Sequence, residues 1–319
     1  MRWLLSIIAM LAVALAAGQH SRAQQAAPTF HANVTDVRVD VEVREGKRPV
    51  MGLDKGDFMV WDEGALQPLV YCGQEAVGVD LVLVLDVSGS VHRLLGKIAA
   101  IGRRALEELH ENDRVAVMAF SRVSTLVQPL TGDHGQVEAA LTLAGEGMSL
   151  GSGTRINSAV IDAARYLKKT RSENSSFKGP RRQAILIITD NSGLSFFGSS
   201  RRAVQDLFEA DATLSAIVVG RHPHPEKFKN LKDLDFELDD VFMLADETGG
   251  DAETASGDLQ ERLRGMIADI RNRYSLAYHA PAAKAGTLRR IKVDLSAEAR
   301  KAHPLAKLQA RSGYYVNTE

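Results

Sequence analysis

The first clear pattern in the chain is an alternation of apolar and charged residues in the stretch 34–44, VTDVRVDVEVR, which is strict from Asp36 onward. A period of two predicts a β-strand with one buried face and one exposed face. A turn follows in EGKRP, and residues 57–73 predict a second pair of strands around a turn at Glu63-Gly64. The alternating pattern occurs again near the C-terminus, in YSLAYHA, TLRRIKVDL and GYYVN. We therefore expect a small β domain built by both ends of the chain, because chain termini often lie close together.

The middle of the chain has a different pattern, made of continuous apolar runs that alternate with helical periodicity. Runs of this kind are typical of parallel strands that are buried on both faces. They are VDLVLVLD, DRVAVMAFS, RRQAILIITD and ATLSAIVVG, with TLVQPL as a strand that pairs beside the second of them. The predicted helices cover residues 91–110, 135–144, 156–169, 200–210 and 256–273, and DVFMLADETGG predicts a short strand and a turn.

Buried strands that alternate with helices predict an α/β fold with a doubly wound, mostly parallel sheet. In the sequence, the two parts of the small β domain lie before and after this α/β domain. The predicted boundaries are a signal peptide at 1–23, the first part of the β domain at 24–79, the α/β domain at 80–273 and the second part of the β domain at 274–319.

The N-terminus adds an expectation about location. Arg2 precedes a run of mostly apolar residues from Trp3 to Ala17, and Ser21 and Ala23 occupy the small-residue positions before a cleavage site. This pattern is typical of a secretory signal peptide, and we expect a secreted, periplasmic or cell-envelope protein with no membrane span after cleavage. The alternative is an uncleaved membrane anchor, although the apolar run is short for a span.

Charge and cysteine content exclude some function classes. The chain has 39 Lys and Arg against 40 Asp and Glu residues, so no excess of positive charge points to nucleic acid or to an anionic membrane. The single cysteine, Cys72, cannot form an internal disulfide, and the fold must therefore rely on its hydrophobic core. We interpret Cys72 as a small buried residue at a strand end; an intermolecular link or a lipid site is the alternative.

The candidate chemistry lies at the ends of the predicted buried strands. In open α/β sheets, ligands bind at the carboxyl ends of the strands. The sequence places oxygen-bearing side chains at three such places: Asp86, Ser88 and Ser90 after the first buried strand, the loop GSGTRINS at 151–158, and Asp190. Two carboxylates at one edge repel each other unless a cation lies between them. Hydroxyls with few carboxylates suit Mg²⁺, or Mn²⁺ or Ca²⁺.

These residues resemble the von Willebrand factor A domain and its metal-ion-dependent adhesion site. The family pattern is Asp-x-Ser-x-Ser, then a threonine in a distant loop, then an aspartate after a buried strand. The resemblance covers about residues 80–275. It implies that Ser88, Ser90 and Thr154 ligate a cation, that Asp86 and Asp190 ligate it directly or through water, and that a protein partner supplies a carboxylate. We expect Gly89 to permit a tight backbone between the two serines.

The flanks, VEVREGKRPVMGLDKGDFMVWDEG and the closing RYSLAYHAP, IKVDL and ARSGYYV, resemble an exported bacterial subfamily of this domain. One departure is Asn191, where the family commonly has glycine after the aspartate, and we expect it to have a small effect on the loop. The resemblance implies a metal-dependent, adhesion-type binding module. The sequence offers no convergent set of base, nucleophile and oxyanion donor, and we expect no catalytic residues.

Three alternatives stay open. The polar residues could serve only as helix caps in a degenerate A domain, with Ser90 and Thr154 capping the helices that follow them. The chain could be a structural scaffold in a cell-envelope assembly, without metal-dependent binding. It could also be an enzyme with an unrecognised site. Weaker signals are interpreted as loops: GMSLG at 147–151, which matches a hydrolase motif, the two histidines of RHPHP at 221–225, and the acidic stretch LKDLDFELDD at 231–240.

Overall fold

The computed structural model describes residues 36–74, 77–173, 181–196, 198–220, 236–255 and 258–316. The predicted signal peptide at 1–23 and the two histidines at 221–225 lie outside the described residues. Among the described residues, none of the helices has the length and apolar character needed to cross a membrane.

The described strands are numbered in chain order: β1 Asp36–Glu45, β2 Arg48–Pro49, β3 Phe58–Asp62, β4 Ala65–Gln67, β5 Leu69–Gly73, β6 Val79–Asp86, β7 Arg114–Phe120, β8 Ser124–Thr131, β9 Arg182–Thr189, β10 Leu194–Phe196, β11 Ala212–Val218, β12 Phe236–Leu238, β13 Ala252–Thr254, β14 Tyr274–His279, β15 Leu288–Leu295, β16 Lys307–Ala310 and β17 Gly313–Tyr315. The α-helices are α1 His92–Ala105, α2 His134–Gly145, α3 Ile156–Glu173, α4 Ser199–Ala210, α5 Val241–Thr248, α6 Leu259–Arg271 and α7 Ala297–Ala302.

The central sheet has the order β13-β11-β9-β6-β7-β8. Its first five strands pair in parallel, and β8 is antiparallel to β7 at one edge. Strands β6, β9 and β11 are buried at every position, as their continuous apolar runs predict. Alternate β6 residues contribute to two core clusters. One contains residues of α1, α2 and α6, and the other contains residues of α3, α4 and α5. Helices therefore cover both faces of the sheet.

The two ends of the chain form two further sheets. In one, β1 pairs with β14 and β16, and in the other β15 pairs with β3 and β17. The alternate valines of β1 are buried in the core that these sheets share, as the period-two pattern predicts. The described residues belong to one unit by their contacts. The predicted boundaries at residues 79 and 273 therefore stay predictions.

A buried polar cluster lies within this β core. Asp62 is fully buried and accepts hydrogen bonds from the Tyr278 hydroxyl over 3.0 Å and the Tyr314 hydroxyl over 2.9 Å. The Arg289 guanidinium donates to its other oxygen over 2.7 Å. Because a buried carboxylate is stable only with partners, these three donors compensate for the burial of its charge.

The stretch DVFMLADETGG contains a helix, α5, where the pattern predicted a short strand and a turn. The Asp240 side chain accepts from the N–H of Phe242 at its first turn, and Gly249 ends it with φ 75°. A Cβ at Gly249 would lie 2.3 Å from the backbone of Ala310, so glycine is required there both for its conformation and for the close packing. The strand prediction was wrong because an apolar run of only four residues fits either element.

Candidate metal centre

Three neighbouring parallel strands end at the same edge of the central sheet. Asp86 is the last residue of β6, which lies between β7 and β9. Thr189 ends β9 and is followed directly by Asp190, while Phe120 ends β7. The carboxyl ends of the strands therefore bring together segments that are far apart in sequence, as predicted for a ligand-binding edge.

Asp86 is the most buried member of the candidate site, with 1% of its surface exposed. Its Oδ1 accepts from the backbone N–H of Ser88 over 2.9 Å, and its Oδ2 accepts from the Thr189 hydroxyl over 2.7 Å. Burial raises the pKa of the Asp86 carboxyl, the hydrogen bonds from Ser88 and Thr189 act against this, and the negative charge of Asp190 raises the pKa further. The carboxylate is thus held in place but carries an incompletely compensated charge.

The two serines of the motif lie together beside Asp86. Their hydroxyl oxygens are 3.2 Å apart, with Ser88 buried and Ser90 exposed. The role expected for Gly89 was wrong. Its φ lies outside the left-handed region, and a Cβ built there meets nothing within 4 Å. The close approach of the serines therefore comes from the turn that follows β6, in which the N–H of Val91 donates to the carbonyl of Ser88 over 3.1 Å.

The loop that carries Thr154 is fixed at the end of β7. The Ser121 hydroxyl donates to the carbonyls of Leu150 over 3.1 Å and Gly151 over 2.8 Å, and the Ser121 carbonyl accepts from the N–H of Arg155 over 3.0 Å. The carbonyl of Thr154 itself accepts from the N–H of Leu194 over 3.3 Å, four residues after Asp190. Main-chain hydrogen bonds of Thr154 and Arg155 therefore connect this loop to both neighbouring segments.

Asp239 caps the helix that follows Thr154. Its Oδ2 accepts from the N–H groups of Ile156 over 2.8 Å and Asn157 over 3.3 Å at the start of α3. The alternative in which Thr154 caps this helix was therefore wrong. Asp239 is 1% exposed, and burial raises its pKa to about 6. It belongs to the acidic stretch 231–240 that was interpreted as a solvated loop. That interpretation was wrong for Asp239, and residues 231–235 lie outside the described residues.

The segment after β9 takes an unusual backbone conformation at Asn191, with φ 55°. Asparagine is one of the few residues other than glycine that adopt this left-handed conformation readily, which is consistent with the small effect expected of replacing the family's glycine. Its N–H donates to the Thr189 hydroxyl over 3.2 Å, and its Oδ1 accepts from the N–H of Val241 over 3.1 Å. Asn191 thus connects the candidate site to the start of α5. Asp190 Oδ1 accepts from the N–H of Ser192 over 3.1 Å.

The structure therefore brings Asp86, Ser88 and Ser90 into contact, places the charge of Asp190 close enough to affect Asp86, and connects Thr154 through its main chain. These groups supply only carboxylate, hydroxyl and carbonyl oxygen, which is the ligand set of a hard divalent cation. In the described ranges no group of three or more His, Cys, Asp and Glu side chains is placed to hold a metal. A cation at this edge would therefore need the hydroxyl ligands.

Sequence reasoning missed the residues that support the site, chiefly Thr189, Ser121 and Asp239. Each of them is a buried polar residue at or next to a strand end. A polar residue at that position is the signal that the sequence gives for them. GMSLG is a loop, as expected, because α2 ends before it and no strand leads into it. Cys72 lies half-buried in β5 against the β core, and burial raises its pKa to about 11.

Residues 81–193 match the model of the von Willebrand factor type A domain. A comparison of the sequence with curated proteins found no match.

Solved structures with a similar fold include BatB from Bacteroides thetaiotaomicron, which is 22% identical, with 60% of this chain and 98% of that chain covered and a TM-score of 0.44. A von Willebrand factor type A protein from Catenulispora acidiphila is 15% identical, with 91% and 76% covered and a TM-score of 0.49. Proximal thread matrix protein 1 from the mussel byssus, solved with zinc in its MIDAS motif, is 15% identical, with 67% and 50% covered and a TM-score of 0.44. The match to the domain model identifies residues 81–193 as a von Willebrand factor type A domain.

Proposed function

We propose that this chain is an exported protein-binding module that works through a divalent cation. The cation would be held by Asp86, Ser88, Ser90, Thr154 and Asp190, and it would accept a carboxylate from a protein partner. The observation that carries this proposal is the contact of the buried Asp86 carboxylate with the two-serine turn, at an edge that also holds Asp190.

The residues of the chain have separate tasks in this proposal. Ser88 and Ser90 present two hydroxyl oxygens 3.2 Å apart, a spacing that one small cation can bridge. Asp86 and Asp190 supply negative charge, and the cation would relieve their mutual repulsion. Mg²⁺ fits this set because it takes few protein carboxylates and keeps several waters, one of which a partner's carboxylate can replace; Mn²⁺ and Ca²⁺ are the alternatives.

Location, architecture and mode of action belong to the same proposal. Export rests on the apolar N-terminal run and its small-residue cleavage pattern. The central sheet would be doubly wound beside a β domain from both chain ends, which the strand order and the pairing of β1 with β14 support. We propose binding rather than catalysis, because the named oxygens suit a cation and do not form a set of base, nucleophile and oxyanion donor.

Calorimetric titration of Mg²⁺ and Mn²⁺ into the metal-stripped, purified chain tests the proposal. We expect saturable binding in the wild type, much weaker binding in Ser88→Ala and Ser90→Ala, and none in Asp86→Asn. Ser149→Ala is the matched control, since Ser149 is an exposed serine of the 147–151 loop. Equal binding by all variants, or no binding by a folded wild type, would contradict the proposal and favour the metal-independent scaffold.

A further inference from the structure

Two large apolar side chains are exposed next to the candidate metal centre. Leu194 and Phe196 of β10 are 49% and 59% exposed, while Ser195 between them is buried. The N–H of Leu194 donates to the carbonyl of Thr154, and the Arg155 guanidinium carbon lies 5.5 Å from the centre of the Phe196 ring. These contacts place the two side chains, called the apolar rim below, directly beside a proposed cation ligand.

The same side of the site carries positive charge. Arg155 follows Thr154, and Arg122 lies against the loop, because a Cβ built at Gly151 would be 3.1 Å from the Arg122 Cβ. Neither guanidinium forms an ion pair with a carboxylate in the part of the chain that the structure describes. A divalent cation would offset the charges of Asp86 and Asp190, and the two arginines would add positive charge beside Thr154. The electrostatic complement of that charge is an acidic partner.

We propose that the apolar rim selects the partner. The partner would be an extended protein segment whose carboxylate reaches the cation while a large apolar side chain beside that carboxylate packs on Leu194 and Phe196. Side chains at positions i and i+2 of a strand are about 7 Å apart. The apolar rim therefore forms a contact surface that fits one Leu or Phe side chain of the partner. A lipid surface would need a wider apolar area than two side chains provide. The inference rests on the proposed metal-dependent function.

A peptide display experiment tests this inference. A library of heptapeptides with glutamate fixed at the centre and all other positions random is selected on the purified chain in Mg²⁺ and eluted with EDTA. We expect enrichment of Leu, Ile, Phe or Met within two residues of the glutamate. The enriched peptide should bind Phe196→Ser and Leu194→Ser about tenfold more weakly than the wild type, because each variant loses a buried apolar contact.

Leu66→Ser provides the matched control, because Leu66 is 54% exposed on β4 and lies outside the segments that form the site. Its affinity for the enriched peptide should equal that of the wild type. Peptides that need Mg²⁺ but show no apolar preference and bind all three variants equally would overturn the role of the rim and leave the metal-dependent function in place. Capture that persists in EDTA, or no Mg²⁺-dependent capture, would overturn the proposed function and this inference with it.

Discussion

Replacing Thr189 with valine tests the local chemistry of the candidate site, because the two side chains have nearly the same shape. The Thr189 hydroxyl donates to Asp86 over 2.7 Å and accepts from the N–H of Asn191 over 3.2 Å. Thr189 is fully buried, so water cannot take the place of the hydroxyl in either hydrogen bond of the variant. Valine fills the same space and removes both hydrogen bonds.

The expected magnitude follows from these two contacts. A hydrogen bond to a charged group contributes about 1.5–3 kcal/mol, and a buried N–H left without a partner costs about 1–3 kcal/mol. The two bonds share one hydroxyl, so their contributions are not independent. We expect the free energy of unfolding of Thr189→Val to be about 3 kcal/mol below that of the wild type at neutral pH.

The loss of stability should depend on pH in a definite direction. Burial raises the pKa of Asp86 in the folded chain, and the bond from Thr189 acts against that rise. Without the bond the folded-state pKa is higher still, so the folded variant binds a proton at a pH where the folded wild type remains ionised. Proton uptake by the folded state stabilises it as the pH falls. The difference between variant and wild type should therefore shrink on acidification.

Urea denaturation of the purified chain in EDTA, at neutral and at mildly acidic pH, measures both effects without a contribution from metal. Thr189→Ser is the control, because it keeps the hydroxyl and loses one methyl group, for which we expect a loss of about 1 kcal/mol. A Thr189→Val chain that is as stable as Thr189→Ser, or one whose deficit grows as the pH falls, would refute the reasoning.

Substitutions at three further positions can be measured in the same denaturation assay, and calorimetry measures the effect of the first on Mg²⁺ binding. Asp239→Ala removes the acceptor at the start of α3, so it should lower the free energy of unfolding by about 1–2 kcal/mol and weaken Mg²⁺ binding. Asp239→Asn keeps an acceptor, so its free energy of unfolding should fall by less. Asn191→Ala should be about 1 kcal/mol less stable than Asn191→Gly, since both lose the side-chain bond but only alanine is strained at φ 55°; equal stability would contradict this. Tyr278→Phe leaves Asp62 with one donor fewer and should cost about 1–3 kcal/mol, and a neutral effect would show that the bond contributes little.

The central strands could be predicted because their patterns are long and leave few alternatives. A run such as VDLVLVLD is buried on both faces of a parallel sheet, and no amphipathic helix has that pattern. The alternation in β1 is equally clear, since its valines all face one core. Helix α5 could not be predicted with the same rules, because its apolar run is only four residues long and fits a strand as well as a helix. Its only local signals were Asp240 before it and Gly249 after it.

The position of Asp86 and Asp190 at one edge of the sheet could be predicted for a different reason. Asp86 ends β6 and Asp190 directly follows β9, and because these strands are parallel neighbours the sheet itself brings the two residues to one edge. Their supports could not be predicted, because the hydrogen bonds that make them important join residues far apart in the chain. Thr189 and Asp86 are separated by 103 positions, and Asp239 and Ile156 by 83. Neither pair follows a local sequence rule.

These long-range bonds bear on how the site would work. The Asp86 carboxylate is fixed from two sides, and Asp239 holds the first turn of α3 two residues after Thr154. A site whose ligands are already held loses little conformational entropy when it binds a cation, so more of the interaction energy is available for affinity. The cost of that order is the burial of Asp86 near Asp190, which raises the Asp86 pKa. A bound cation would remove this cost, whereas a purely structural role would leave it without compensation.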